Sequence, residues 1–416
     1  MVKIGVFSDT HIGRSVPKAI GELRREAFKK AFTQAINIFI QEKVDYIIHC
    51  GDVFERETMN PSDSTFVKNE FQRLIDSLNE DTKIFVIRGN HDGTTINNAL
   101  NYIEHPLAKY FKIVGEKTLE GKIELYEEAN FALTGMGYTP YSAYKFKTIK
   151  EKIKENLKTS KASYKILLLH TFIDGHHDLP PGVPEHQKIS INELKNLGAN
   201  LIILGHNHSR KNEKIDEAIF LTPGSTEYYD LAEKESHGVY ILELNKEEKL
   251  QFKTIEPMNI IETIKVNGGE AVRNSTWFIT QALIEFENLI KKIEKLNKKG
   301  IIRVVLKGLI HEDKYELEDK LKEKLGKNES IIHLEVENQL EETAKPFQSP
   351  SIASKEEFLK VLFEPLGLEA LTEALNLIEE VEACLEEVGS QRSGLLKDLD
   401  RRKFVKKWME ILGVKD

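Results

Sequence analysis

Cysteine is nearly absent: Cys50 and Cys384 are the only two in 416 residues, far apart and without Cys-x-x-Cys spacing. A disulfide framework and a cysteine-based zinc site are thereby excluded as organising principles, and the scarcity fits a reducing interior. No apolar run approaches the roughly 18 residues of a membrane-spanning helix. The N-terminus passes straight into an apolar, β-rich run without the layout of a secretory signal, so an intracellular protein with no membrane contact is expected. An excess of positive charge is also missing: 59 Lys and Arg face 67 Asp and Glu, a formal net charge of −8 with His neutral. A polycation that coats nucleic acid by bulk attraction is excluded, and any DNA-binding role would need local basic patches or metal ions. What remains is 40% hydrophobic and 30% charged residues, the balance of a globular chain of two or three domains.

Short apolar runs alternate with helical patterns over the first 255 or so residues. Val2–Phe7, Asp45–His49, Lys83–Ile87, Lys165–Leu169 and Asn200–Leu204 each read as buried strands. Between the first two lies Gly21–Glu42, where Leu23, Ala27, Ala31, Ala35, Ile38 and Phe39 recur at helical spacing. Strand, helix and strand in succession predict right-handed crossovers and a layered α/β sandwich with helices outside. Ala218–Leu221, Gly238–Leu244 and Leu250–Ile255 follow with little helix between them, as hairpins on a second sheet would. After Pro257 the texture changes to a helix over Val272–Leu296, a strand over Ile301–Lys307, a helix over Lys314–Leu325 and a strand over Ile331–Val336. The domains are therefore drawn at 1–257, at 258–340 for a small α+β unit, at 341–354 for a linker and at 355–416 for a helical region. That last region is too short to bury much core alone and should dock on something else.

The informative residues stand just past the carboxyl ends of the strands, where ligands bind in α/β sheets. In order they are Ser8-Asp9-Thr10-His11, Gly51-Asp52-Val53-Phe54, Gly89-Asn90-His91-Asp92, His170, and Gly205-His206-Asn207-His208. Singly, each has an ordinary reading as a surface loop, a turn or a helix cap. Together they bring five of the thirteen histidines, with Asp9, Asp52 and Asn90, to one edge of a sheet. Mixed Asp and His donors favour Mn²⁺, Fe²⁺ or Zn²⁺ over Mg²⁺ or Ca²⁺. Asp9 and His11, two apart on an extended segment, can point the same way, and His206 and His208 do so from the opposite side. The central Asp52 can bridge two ions about 3.5–4 Å apart. Asn90 adds a neutral oxygen, and Gly51, Gly89 and Gly205 permit sharp turns and close backbone approach.

This ordered set resembles the metallophosphoesterases of the calcineurin-like fold. Leu221-Thr-Pro-Gly-Ser-Thr-Glu227, followed by a glycine-containing strand at Gly238–Glu243, is similar to the SbcD type of repair nuclease, the meiotic-recombination-eleven type of archaea and eukaryotes. The resemblance implies a four-layer sandwich, a small α+β capping and DNA-binding domain, and a C-terminal helical region. It implies two Mn²⁺ per subunit, with Fe²⁺ or Zn²⁺ as alternatives. Asp9, His11, Asp52 and His208 match the ligands of one ion, and Asp52, Asn90, His170 and His206 those of the other. His91 matches the residue that stabilises the transition state and protonates the leaving oxygen. The function so implied is a nucleoid-associated, cytoplasmic nuclease, exonuclease or endonuclease or both, that processes DNA ends in double-strand-break repair. A homodimer and a partner ATPase of the ABC type (SbcC, or Rad-fifty) go with it. The alternative is a phosphoesterase of the same centre acting on a small phosphodiester or a phosphoprotein. The chain departs from the pattern at Glu55, where the family often has histidine, and this leaves the mode of attack on DNA open.

Other residues carry two readings each. Arg14, Lys18, Arg24, Arg25, Arg210 and Lys211 flank the first and last motifs, either rimming the site to hold phosphates or forming a solvated face. Arg88 is either a support of the site or a salt-bridge partner, and Asp92 either orients His91 or caps a turn. His176 and His177, in a Pro- and Gly-rich loop, read as surface residues. Gly115–Lys122 has the wrong spacing for a nucleotide-binding loop, with Ile123 where Ser or Thr should stand. Leu362, Phe363, Leu366, Leu368 and Leu371, then Phe404, Trp408, Ile411 and Leu412, form amphipathic patterns suited to docking on the ATPase or to folding back on the chain.

Overall fold

The computed structural model describes residues 2–128, 130–244, 249–343, 372–373, 375–379 and 405–409. In chain order the elements are β1 (Val2–Phe7), α1 (Gly21–Glu42), β2 (Tyr46–His49), α2 (Pro61–Ser77), β3 (Lys83–Ile87), α3 (Asn101–Leu107), β4 (Phe111–Val114), α4 (Glu116–Leu119), β5 (Tyr126–Glu127) and β6 (Phe131–Met136). Then come α5 (Ser142–Thr159), β7 (Tyr164–His170), β8 (Phe172–Asp174), β9 (Lys188–Ser190), α6 (Ile191–Leu194), β10 (Leu201–Gly205), β11 (Lys211–Ile215), β12 (Ala218–Thr222), β13 (Gly238–Leu244) and β14 (Lys249–Thr254). β15 (Ile260–Arg273), α7 (Ser275–Lys295), β16 (Gly300–Ile310), α8 (Lys314–Leu325) and β17 (Ile331–Glu342) complete this part of the chain.

Two six-stranded sheets carry the first part, in the orders β14-β13-β1-β2-β3-β4 and β11-β12-β10-β7-β6-β5. Their central strands are apolar on both faces because each sheet is covered on both sides. Alternation then decides which side chain goes where. Ile4, Val6, Ile48, Phe85 and Ile87 from the first sheet meet Leu133, Ile166, Leu168, Leu201 and Ile203 from the second in one core. Phe7, Ile47, Ile84 and Val86 point the other way, onto Phe28, Phe32 and Phe39 of α1 and Phe71 and Leu74 of α2. Leu167, Leu169, Ile202 and Leu204 face Phe146, Ile149 and Ile153 of α5. The result is helix, sheet, sheet, helix: the four-layer sandwich.

The late strands divide differently from the sequence reading. β12 joins the second sheet parallel to β10, but β13 and β14 complete the first sheet, with β13 antiparallel to β1. Local periodicity identifies a strand without naming its neighbour. After β14, β15-β16-β17 form a parallel sheet whose crossovers are α7 and α8, packed on one face around Phe278, Phe286, Leu317 and Leu321. Strand β15 corrects the helix expected from Val272: it runs to Arg273, with a register shift between Asn267 and Val272. Asn274 then caps α7 by accepting from the Trp277 amide.

Residues 343–416 form a second compact unit. Its described residues are helical at 372–373, 375–379 and 405–409, and Leu377 is buried. Of the expected docking positions, Leu362, Phe363, Leu366, Leu368, Leu371, Phe404, Ile411 and Leu412 lie outside the described residues, as does the linker beyond Thr343. Among the described residues no helix is long and apolar enough to cross a membrane.

Candidate metal centre

The loops after β1 and β2 continue side by side beyond the sheet. Asp9 N donates to Gly51 O at 3.0 Å, His11 N to Asp52 O at 3.0 Å and Ile12 N to Val53 O at 2.9 Å. Asp9, His11, Asp52 and His206 all adopt left-handed backbone, with φ of 50°, 40°, 55° and 80°. The segment at Asp9–His11 is thus not extended, and its side chains converge through local strain. Such residues cost on the order of 1–3 kcal/mol each and persist only where the surroundings over-determine them. Asp92 supplies that restraint: its Oδ2 accepts from Asp52 N and Gly89 N, both at 2.9 Å, and its Oδ1 accepts from Phe54 N at 3.0 Å. This is its role, instead of orienting His91 by its side chain. Burial pushes its carboxyl up to about 6.

Glycine is needed here to let ligand side chains pass. At Gly51, φ is +96° and an added Cβ would lie 2.2 Å from His170 Nδ1. Gly198 shares the left-handed backbone, φ +86°, but its Cβ would meet only Lys158 Cγ at 3.8 Å. Gly51→Ala is therefore expected to lower the melting temperature by the equivalent of about 1–3 kcal/mol more than Gly198→Ala does. Equal melting temperatures in calorimetry of the two variants would show that the approach of His170 is unimportant.

The side chains meet in three overlapping groups, Asp9–His11–His208, His11–Asp52–His91 and Asp52–His170–His206, with ligand atoms in each within 4.8 Å of one another. His11 Nε2 stands 3.2 Å from His208 Nε2 and 3.9 Å from Asp52 Oδ2. His170 Nε2 is 3.2 Å from Asp52 Oδ2 and 3.2 Å from Asn90 Oδ1, which also lies 2.8 Å from His206 Nδ1. Asp52 belongs to two of the groups, and His91, expected to stabilise the transition state and protonate the leaving oxygen and not to bind metal, shares one with His11 and Asp52. His170 Nδ1 donates to Cys50 O at 2.7 Å, which leaves Nε2 for the cluster.

Electrostatics marks the cluster as a place for cations. Burial raises the Asp9 carboxyl to about 6 and lowers His11 to about 4 and His206 to about 3. Burial opposes the charged forms of Asp52 and His170 as well, but their mutual attraction wins. Asp52 is held well below the usual carboxylate range, and His170 is raised to about 9. A buried carboxylate here relies on a positive partner, and neutral nitrogens crowd around it. That donor set fits divalent first-row ions, which would displace the His170 proton.

The basic residues behave unlike a uniform rim. Arg14 is buried and paired with Glu55 at 2.9 Å, so it does not stand free for phosphate. Arg24 is fully buried, donating to Tyr228 O and facing Glu227 at 3.5 Å; it belongs to the core. Arg88 donates to Glu116 Oε1, Gly93 O and Tyr138 O and so ties α4 and two loops together behind Gly89. Lys18 is exposed, Arg210 is exposed with its guanidinium over Phe252, and Lys211 is exposed while donating to His176 O. His176 and His177 are not surface residues: both are buried and both contact Thr222 Oγ1, a partner 45 or more residues away.

Sequence reading also missed His49 and Tyr229. His49 is buried, accepts from Gly51 N at 3.2 Å and contacts Thr10 Oγ1 at 3.0 Å, bracing both loops. Its place at the end of β2, directly before Cys50-Gly51-Asp52, was the available signal. The Tyr229 ring lies 4.0 Å from that of His208 and 4.5 Å from that of His11, a contact no local pattern announces.

Comparison with known proteins agrees with this geometry. Residues 2–210 match the family model described as calcineurin-like phosphoesterase, half of the 416-residue chain. The DNA double-strand break repair protein Mre11 of Thermoplasma acidophilum is 29% identical over 274 residues, covering 62% of this chain and 67% of that protein. The protein of the same description from Methanosarcina mazei is 27% identical over 276 residues, 65% of this chain but 41% of its own length. The chain thus spans less than half of that relative. Among solved structures, a dimetal phosphatase from Danio rerio is 12% identical with a TM-score of 0.43, over 61% of this chain and 96% of that one. From the match over half its length and the largely buried Asp and His cluster at its strand ends, the chain belongs to the calcineurin-like phosphoesterase family, whose members work through a dinuclear metal centre.

Proposed function

We propose that the protein is a Mn²⁺-dependent DNA nuclease that hydrolyses phosphodiesters at DNA ends in double-strand-break repair. The observation that carries this reading is the position of buried Asp52 between two groups of buried and half-buried imidazoles, His11 with His91 and His170 with His206. The similarity to archaeal Mre11 proteins supports DNA as the substrate. In this reading Asp9, His11, Asp52 and His208 hold one ion, and Asp52, Asn90, His170 and His206 the other. Bound there, the ions would supply a water nucleophile at neutral pH and offset charge on the phosphoryl oxygens. Mn²⁺ suits the mixed donors, and Fe²⁺ or Zn²⁺ would fit the same set.

His91 takes the leaving-group role. Its Nδ1 donates to Glu55 O at 2.8 Å, so the other nitrogen is the one that can pass a proton to the departing oxygen. Its amide donates to Asp52 Oδ1 at 2.8 Å, which fixes the ring's origin beside the shared carboxylate. Lys18, Arg210 and Lys211 remain the proposed phosphate contacts at the rim, without Arg14. The ABC-type ATPase partner and the homodimer stay part of the proposal on the strength of the sequence resemblance.

The test is incubation of purified protein with Mn²⁺ and end-labelled duplex or single-stranded DNA, with bis(p-nitrophenyl) phosphate in parallel. Mn²⁺-dependent cleavage of DNA is the expected result. Turnover of the small diester with DNA untouched, even after addition of the ATPase, would replace this reading with that of a phosphodiesterase for small substrates.

A further inference from the structure

We infer that Glu55 is a positioning residue for His11, and that Arg14 and Tyr229 hold it in that role. The inference rests on the reading of His11 as a metal ligand. His11 has its Nε2 in the cluster, while its Nδ1 points away from it and stands 3.1 Å from Glu55 Oε2. Both of these atoms are buried, and among the described residues neither has an aligned hydrogen bond, so the 3.1 Å approach is a close contact between a buried nitrogen and a buried carboxylate oxygen. Each is the opposite group that stands closest to the other, and leaving either without it would carry a desolvation cost.

The second carboxylate oxygen is equally committed. Arg14 Nη1 donates to Glu55 Oε1 at 2.9 Å and Arg14 Nε donates to Tyr229 O at 2.9 Å. The guanidinium carbon lies 3.3 Å from the centre of the Tyr229 ring, and that ring packs on both His208 and His11. Glu55 itself is fixed by its amide, which donates to Ile12 O at 3.0 Å. A belt thus runs from Glu55 through Arg14 and Tyr229 to the two histidines that flank the proposed ion.

Two consequences follow from this chemistry. A ligating imidazole that gives its second N–H to a carboxylate is held in one tautomer and is the stronger donor to the metal. Arg14 offsets the carboxylate, so an anion placed beside the site does not repel an incoming phosphodiester. Glu55 uses one oxygen for each partner. A neutral histidine at this position, with a single accepting nitrogen, could not serve both His11 and Arg14.

The experiment is titration of the full-length metal-free protein with Mn²⁺ by calorimetry and by electron paramagnetic resonance of the unbound ion. Wild type, Glu55→Ala, Glu55→Gln and Arg14→Ala are compared, with a thermal melt of each. Glu55→Ala is expected to weaken one of the two binding steps by about 10–100-fold and to leave the other within about threefold. Glu55→Gln, which keeps an accepting oxygen, should lie between wild type and Glu55→Ala, and Arg14→Ala should weaken the same step. Saturating Mn²⁺ should then restore most of the turnover on bis(p-nitrophenyl) phosphate. Unchanged Mn²⁺ affinity in Glu55→Ala, or a turnover defect that excess Mn²⁺ does not mend, would overturn the inference. If Glu55→Ala does not fold, Glu55→Gln and Arg14→Ala decide by the same readout. Wild-type protein that takes up no Mn²⁺ would remove the metal-centre reading itself, and this inference with it.

Discussion

Asp52→Asn is expected to reduce the bound Mn²⁺ from two ions to at most one, with loss of phosphodiester hydrolysis by about 10²–10⁴-fold. The substitution keeps volume and keeps an oxygen to accept from the His91 amide at 2.8 Å. It removes the negative charge and turns the second oxygen, the one that faces His170, into an NH₂ donor. That charge is 1% exposed and faces His170 Nε2 at 3.2 Å and His11 Nε2 at 3.9 Å, so it is the feature both donor groups share. Breaking a buried charged arrangement by neutralising one member costs about 3–5 kcal/mol, because the remaining groups keep their desolvation penalty without compensation. Metal content after exhaustive dialysis, measured by mass spectrometry alongside turnover of bis(p-nitrophenyl) phosphate, checks the prediction. An Asn variant that retains two ions and normal turnover would mean that Asp52 is a structural carboxylate and that the centre lies elsewhere.

Much of this arrangement is legible in the amino-acid sequence, for a physical reason. Parallel strands buried on both faces are unbroken apolar runs, so their carboxyl ends are visible as abrupt changes to Asp, His, Asn and Gly. In this chain the ends of β1, β2, β3, β7 and β10 each show that change. What could not be read is how distant groups satisfy one another. The pairing of Arg14 with Tyr229 spans 215 positions, and that of His176 with Thr222 spans 46. The Gly and Pro residues around His176 and His177 describe the local chain correctly as a loop, but whether a loop is covered depends on Thr222 and Glu213. The same limit applies to β15, which the helix expected from Val272 cut short. The partner strand β16 carries the ladder past the irregularity to Arg273. The left-handed backbone at Asp9 and His11 has only a weak local signal, since neither is glycine and Asp and His enter that region only somewhat more often than other residues. It follows from the restraint that the neighbouring loop imposes.

The most discriminating substitution is His91→Ala. It is expected to keep both Mn²⁺ ions and to lower cleavage of DNA by about 10²–10⁴-fold, the usual contribution of a positioned general acid. Hydrolysis of bis(p-nitrophenyl) phosphate should fall far less. The difference comes from the leaving group. A departing nucleoside alkoxide needs a proton as the phosphorus–oxygen bond breaks, whereas p-nitrophenolate is stable enough to leave without one. In the proposed mechanism the ring would deliver that proton through Nε2, because Nδ1 is occupied by Glu55 O and the ring sits edge-on to His11 with centroids 4.8 Å apart. The geometry also offers a competing role, since His91 shares a ligand group with His11 and Asp52. Metal counting separates the two. An alanine variant that loses an ion, and loses both activities in the same proportion, would make His91 a ligand instead of an acid. Two ions retained, with DNA cleavage lost and the activated diester still turned over, would leave proton transfer as the function that His91 supplies.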